Sequence, residues 1–325
     1  MTKKTLLSGI QPSGKAHIGN YFGLMKRMVE FQDEYNCYFF IADYHSLNTI
    51  KDKEISKQNI IDIVLDYCAI GFDPQKSVIF KQSDVSEHTE LAWIFDTITT
   101  MPYLMRAHAY KDAEAKNKEI GVGLFNYPML MAADILLYDT ELVPTGKDQQ
   151  QHVEIARDTA DKFNNTYGTT FVLPQSKIIE ELAVVPGVDG RKMSKSYGNT
   201  IPLFASPEEI KKAVMSIVTD SKGVDEPKNP EEDNVFKLHK LFLEEGKLQE
   251  LRQRYEKGGL GHKESKDMLI SEIEAFIAPL REKRKQLEGD TDYVLDILRE
   301  GGKRAKQKAE KKMEAVREAI GVKLY

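Results

Sequence analysis

Across the first 200 residues, short apolar runs of strand length alternate with amphipathic stretches of helix length, and this alternation constrains the fold more than any other feature. "TLLSG" (5–9) reads as a strand stopped by Gly9, and "CYFFIAD" (37–43) and "SVIFKQS" (77–83) read as further strands. Between them, "HIGNYFGLMKRMVEFQDEY" carries Tyr21, Leu24, Met25, Met28 and Phe31 at helical spacing. "EISKQNIIDIVLDYCAIG" (54–71) places Ile61, Val64, Leu65 and Cys68 on one inner face and stops at Gly71. Strands joined by helical crossovers pair in parallel. The sequence therefore predicts an α/β fold, a doubly wound Rossmann-type sheet with helices on both faces.

From 86 to 140 the pattern turns helical, through "HTELAWIFDTIT" and "YPMLMAADILLYD", before "ELVPTG" (141–146) returns to the sheet. The helical stretch reads as an insertion between two halves of one sheet. After residue 200 the strands disappear. "SPEEIKKAVMSIV" opens a helix with Ser206 as N-cap, Pro207 at the first position and Glu209 completing a capping box. Further helices are predicted at 233–245, 247–256, 264–288 and 303–319, the last with Ala305, Ala309, Met313, Val316 and Ile320 in one stripe. At 325 residues and 41% apolar content the chain can fill two cores. We expect a domain over 1–200 and an all-α domain over 201–325.

Composition excludes several classes. Cys37 and Cys68 stand apart in apolar surroundings, with no spacing for zinc, iron–sulfur or a disulfide framework. The start "MTKKTLLSGIQ" is too short for a signal peptide, and no run approaches the ~20 apolar residues of a membrane span. A cytoplasmic protein with no membrane partner is expected. The net charge of −5 does not announce a polyanion binder. Residues 281–325, however, hold 13 Lys and Arg against 9 Asp and Glu, so a local basic face remains open.

Two segments carry chemistry. In "SGIQPSGKAHIGN", Gly9, Gly14 and Gly19 let backbone approach a ligand, and His17 and Asn20 straddle a helix start, where free N–H groups attract phosphate. Spacing alone also fits an N-cap region with an incidental histidine. In "GRKMSKSYGN" (190–199), Lys192 and Lys195 sit on a short loop bracketed by Gly190 and Gly198. Taken alone this is a solvated loop. Closing over a charged leaving group such as pyrophosphate, it would neutralise charge that develops in the transition state.

"HIGN" and "KMSKS" together resemble the two signature motifs of class I aminoacyl-tRNA synthetases. The strings "SGIQPSGKAHIGNY", "YPMLMAADILLYD", "VPTGKDQQQHVE" and "GRKMSKSYGN" are similar, in order and through nearly the whole chain, to bacterial-type members specific for tryptophan. The resemblance implies a HUP-like catalytic domain, a dimer interface on the insertion and an anticodon-reading helical domain. It implies ATP with Mg²⁺, L-tryptophan and tRNA(Trp) as partners, in a homodimer.

Carried onto this chain, the resemblance makes His17, Asn20, Lys192 and Lys195 catalytic. ATP would also touch Gln11, Pro12, Ser13, Gly19, Gly146, Lys147, Asp148, Val184, Met193, Ser194 and Ser196. Asp134 would accept the indole N–H; a lone carboxylate in "LMAADILLY" is otherwise badly placed on a buried helix, unless it is capped or paired locally. Tyr127 and Gln149 would hold the α-amino group, with Leu7, Gly9, Met131 and Val143 as walls and His45 nearby. Thr145 adds a hydroxyl where an aliphatic wall is expected. No resident metal site is read. The rival readings are a tyrosine-specific relative, another nucleotidyl transferase of the same sheet type, and a non-catalytic nucleotide- or tRNA-binding module.

Overall fold

The computed structural model describes residues 3–116, 119–146, 150–178 and 185–325. The chain begins β1 (Thr5–Ile10), α1 (Ile18–Asn20), a π-helical turn (Tyr21–Met25) and α2 (Lys26–Glu34). It continues through β2 (Asn36–Ile41), α3 (Asp43–Ser46), α4 (Lys53–Ala69) and β3 (Val78–Lys81). The insertion holds α5 (Glu87–Ile98), α6 (Met101–Leu104), α7 (His108–Ala115) and α8 (Val122–Leu136). β4 (Leu142–Thr145), α9 (Gln150–Tyr167) and β5 (Gln175–Ile178) complete the sheet. Then come α10 (Pro207–Met215), α11 (Asn234–His239), α12 (Glu245–Lys257), α13 (His262–Glu288) and α14 (Thr291–Ala319).

The sheet order is β3-β2-β1-β4-β5 and every pairing is parallel. Alternate strand residues feed two cores. Leu6, Phe39 and Ile79 face α4 and α13, while Leu7, Phe40 and Phe80 face the insertion helices. The Rossmann-type expectation is met. In this order the chain reverses direction across the sheet between β1 and β4, and ligands of such sheets bind in the crevice beyond that point.

The apolar stripe of α14 does not stay among the later helices. Among the described residues β3 pairs only with β2, and α14 lies along its other edge, covering backbone groups that would otherwise template another strand. The guanidinium of Arg304 donates to the carbonyls of Pro74 (3.0 Å) and Ser77 (3.3 Å). Val294, Ile297 and Leu298 belong to one core, and Ala305, Ala309, Met313 and Val316 to the other, so the helix passes from one face of the sheet to the other. Gly301 and Gly302 mark the crossing. A Cβ on Gly301 would overlap the carbonyl of Ile79, and one on Gly302 would press the Asp84 side chain. Gly301→Ala should lower stability by about 3 kcal/mol, because strand backbone cannot yield and the overlap outweighs alanine's helical preference of ~1 kcal/mol. Urea denaturation reads this; an unchanged or raised midpoint would mean that the crossing is loose.

The helices after α10 add a small cluster of Phe236, Leu248, Leu251, Tyr255 and Leu260. Beside it, Ser265 Oγ lies 3.1 Å from His239 Nε2, and His239 Nδ1 lies 2.6 Å from Glu272. That order resembles a nucleophile–base–acid relay. Ser265 is 1% exposed and its hydroxyl also meets Tyr255, so the chain of bonds ties α11, α12 and α13 together instead.

Candidate active site

β1 runs into the turn 11–17, and residues 185–203 close against it. Ile18 N–H donates to Ile201 O (3.0 Å), and Leu203 N–H donates to Ala16 O (3.0 Å). Met193 is buried beneath, and a Cβ on Gly19 would stand 2.9 Å from His17 Nδ1 and 3.2 Å from the Met193 Cβ, so this glycine leaves room for the imidazole and for the loop. Lys195 donates to the carbonyls of Ser13 (3.0 Å) and Gly14 (2.8 Å). The two segments singled out in the sequence thus meet at the carboxyl end of β1. Gly14, at φ +86°, has open space where a side chain would stand.

His17 and Asn20 form a reciprocal capping box at α1. Asn20 N–H donates to His17 Nδ1 (3.2 Å), and His17 N–H donates to Asn20 Oδ1 (3.1 Å). With Nδ1 accepting, the ring proton sits on Nε2. Burial, aided by the Lys195 charge, pushes the His17 pKa down to about 4. At neutral pH His17 is therefore an uncharged donor, and positive charge is left to the lysines. Asn20 commits Oδ1 to the backbone, which leaves Nδ2 for a ligand.

The turn is braced from below. Asn59 of α4 donates to Pro12 O (2.9 Å), and the Ala16 amide faces the Asp66 carboxylate. Arg284 of α13 reaches Asp66 and Asp62, both at 2.7 Å. Burial pushes Asp66 up to about 6 even with Arg284 opposing it.

The lysine loop has a clamp that sequence reasoning missed. Buried Asn199 donates to Asp189 (2.7 Å) and to Lys192 O (3.1 Å), and accepts from Ser194 N–H (2.8 Å). Ser194 caps the short turn Lys195–Tyr197 and accepts from Ser196 N–H, while Lys192 stays exposed.

A second constellation lies on the face of β1 that carries Leu7. Asp134 of α8 is wholly buried and is not a lone carboxylate. His88 Nδ1 (2.6 Å) and Gln82 Nε2 (2.7 Å) meet Oδ1, and His45 Nε2 meets Oδ2 at 2.8 Å. Burial alone would push its pKa up, but His88 and His45 outweigh it and hold the group near 2. Of the three partners, His45 was singled out as a neighbour of the indole; Gln82 and His88 were not singled out. Leu7 and Val143 are buried in this core, and half-buried Met131 packs against it. Tyr127 hydroxyl bonds to His152 (2.9 Å). The space left by Gly9 is filled by the Phe40 ring, 2.6 Å from where a Cβ would stand. Thr145 Oγ1 is buried with no hydrogen-bond partner among the described residues. Gly146 follows β4; Lys147, Asp148, Gln149 and Val184 lie outside the described residues.

The profile of tRNA synthetases class I (W and Y) matches residues 2–278, and the chain belongs to this family. Within it, the similarity is to enzymes for tryptophan. The tryptophan–tRNA ligase of Fusobacterium nucleatum is 50% identical over 320 residues, covering 98% of either chain. The crystal structure of Campylobacter jejuni tryptophanyl-tRNA synthetase, complexed with ADP and tryptophan, superposes with a TM-score of 0.93 at 49% identity, covering 98% of this chain and 99% of that one. The Mycoplasma pneumoniae tryptophanyl-tRNA synthetase structure gives 0.80 at 29% identity, covering 99% and 98%.

Proposed function

We propose that the chain activates L-tryptophan with ATP, forming tryptophanyl-adenylate and pyrophosphate, and transfers the amino acid to tRNA(Trp). The observation that carries this reading is the convergence of His17, Asn20 and Lys195 on one turn at the carboxyl end of β1. No enzyme nucleophile is required: the tryptophan carboxylate attacks the α-phosphorus in line, and the protein positions and neutralises. His17 Nε2–H and Asn20 Nδ2 donate to ATP phosphates, while Lys192 and Lys195 take up the charge of departing pyrophosphate. Gln11, Pro12 and Ser13 line the same turn. Gly146, Lys147 and Asp148 serve the ribose and Val184 the adenine. Asp134 takes the indole N–H between Leu7, Met131 and Val143, and Tyr127 and Gln149 hold the α-amino group. Mg²⁺ travels on the phosphates, whose oxygens suit its coordination.

The helices after residue 200 are assigned to the anticodon. On α14, Lys308, Lys312, Arg304 and Arg317 bind the protein's own Asp139, loop carbonyls and Glu90, so tRNA phosphates fall to exposed Lys283 and Lys285 of α13 and Lys311 of α14. A second copy would cover Trp93, Met101 and Val122, exposed apolar side chains on three insertion helices. Amino-acid-dependent pyrophosphate exchange tests the assignment. Tryptophan should support exchange about 10³-fold better than tyrosine, since the site offers a buried acceptor in a large apolar slot. Equal exchange, or a preference for tyrosine, overturns it.

A further inference from the structure

Asp134 makes sense as an indole acceptor only if its proton and lone pairs are controlled, and the groups around it do that. A carboxylate offers about four acceptor directions. His88 Nδ1 and Gln82 Nε2 occupy two on Oδ1, and His45 Nε2 occupies one on Oδ2. Among the described residues, one direction on Oδ2 is left. The two donors on Oδ1 are not free to turn. The Gln82 carbonyl oxygen accepts from the Tyr44 and His45 amides (3.2 and 3.4 Å), which fixes the amide with its NH₂ toward Asp134. The His88 ring stands among Phe40, Phe80 and Tyr138 at centroid distances of 6.2, 6.2 and 5.6 Å, and is 0% exposed.

The other end of the His88 ring decides its tautomer. Nε2 lies 2.8 Å from the Tyr138 hydroxyl, and Tyr138 is itself 0% exposed. A sealed phenol O–H has to donate. Burial and the nearby Asp134 charge keep that hydroxyl protonated. When Tyr138 donates to Nε2, the ring proton is held on Nδ1 and points at Asp134 Oδ1.

We propose that Tyr138 and His88 are positioning residues for amino-acid specificity: through Tyr138 O–H to His88 Nε2 and His88 Nδ1–H to Asp134, they fix the carboxylate as an acceptor with one direction of Oδ2 open to the substrate ring N–H. The proposal rests on the reading of Asp134 as the indole partner. It places selection for an N–H-bearing ring in α5 and in the residue two beyond α8, outside the pocket wall. Without the Tyr138 donor, His88 can present its bare nitrogen to Asp134, and the carboxylate must turn away.

Two amino acids test it in the exchange assay with the full-length enzyme: tryptophan, and its analogue with sulfur in place of the ring N–H. Wild type should prefer tryptophan at least ~10²-fold in kcat/KM. Tyr138→Phe, which removes one oxygen, should reduce the preference about tenfold, with the loss in KM for tryptophan and not in KM for ATP. His88→Leu should reduce it further, and His88→Gln, which restores an amide donor, should recover part of it. Asp134→Asn separates the two readings. If Asp134→Asn abolishes the preference while Tyr138→Phe and every folded His88 variant keep it, the positioning role is wrong and the indole reading stands. If Asp134→Asn also keeps it, both fall.

Discussion

Replacing Lys195 with alanine should lower the rate of tryptophan activation by 10²- to 10³-fold while changing KM for ATP less than about threefold. The magnitude is that of removing one donor aimed at developing negative charge. The asymmetry comes from where the ammonium sits. Lys195 rests on the Ser13 and Gly14 carbonyls, beside the turn that would cradle the phosphates. In the resting protein it already has acceptors, so ground-state ATP gains little by displacing them. The departing pyrophosphate carries more charge than a carbonyl dipole, and the exchange becomes favourable as the P–O bond breaks. The neighbouring neutral His17 sharpens the point, because burial first and the lysine close by second make another cation there costly. Pre-steady-state adenylate formation separates rate from affinity. Equal losses in both would show that Lys195 binds substrate uniformly and has no special role in the transition state.

The same geometry shows what the sequence could convey. β1 to β4 overlie the predicted apolar runs because central parallel strands are buried on both faces. β5, "QSKI", was missed: among the described residues it pairs only with β4, and it is nowhere buried, so no apolar run announces it. The stripe of α14 was read correctly from Ala305 to Val316, but periodicity does not say what a stripe faces. Gly301 and Gly302 held that information. The helix expected from 303 begins at Thr291 instead and runs through both, and their smallness lets it pass the edge of β3. The π-helical turn at Tyr21–Met25 leaves no trace in an apolar pattern that the flanking helices also satisfy.

At the site, the resemblance supplied the pairing of His17 with Lys195, which spacing alone could not. His88 was within reach of physical reading. In "HTELAWIF" it precedes Leu91, Ala92 and Phe95 at helical intervals, so a histidine lies on the buried face of α5 and needs a partner there. The Asp134 side chain, equally out of place in "LMAADILLY", is that partner. Two misplaced polar residues far apart in the chain were one feature.

Asp134→Ala should therefore act twice, and the two effects can be told apart. In the free protein the substitution strips Gln82 and His88 of their buried acceptor and His45 of its own. At ~1–3 kcal/mol for each sealed donor left unpaired, a loss of about 3–5 kcal/mol is expected, read as a lower urea midpoint. Catalysis changes in a different direction. An unpaired indole N–H weakens tryptophan binding, whereas an analogue lacking that N–H loses nothing, so the preference between them should fall by ~10²-fold or more. Destabilisation alone reduces the amount of active enzyme and scales both substrates alike. A variant that unfolds at lower urea yet still prefers tryptophan as strongly as wild type would make the Asp134 cluster a packing device, and the indole would have to find its acceptor elsewhere. Mild acid should not mimic the substitution, because the flanking His88 and His45 outweigh burial and hold the carboxyl well below the usual carboxylate range.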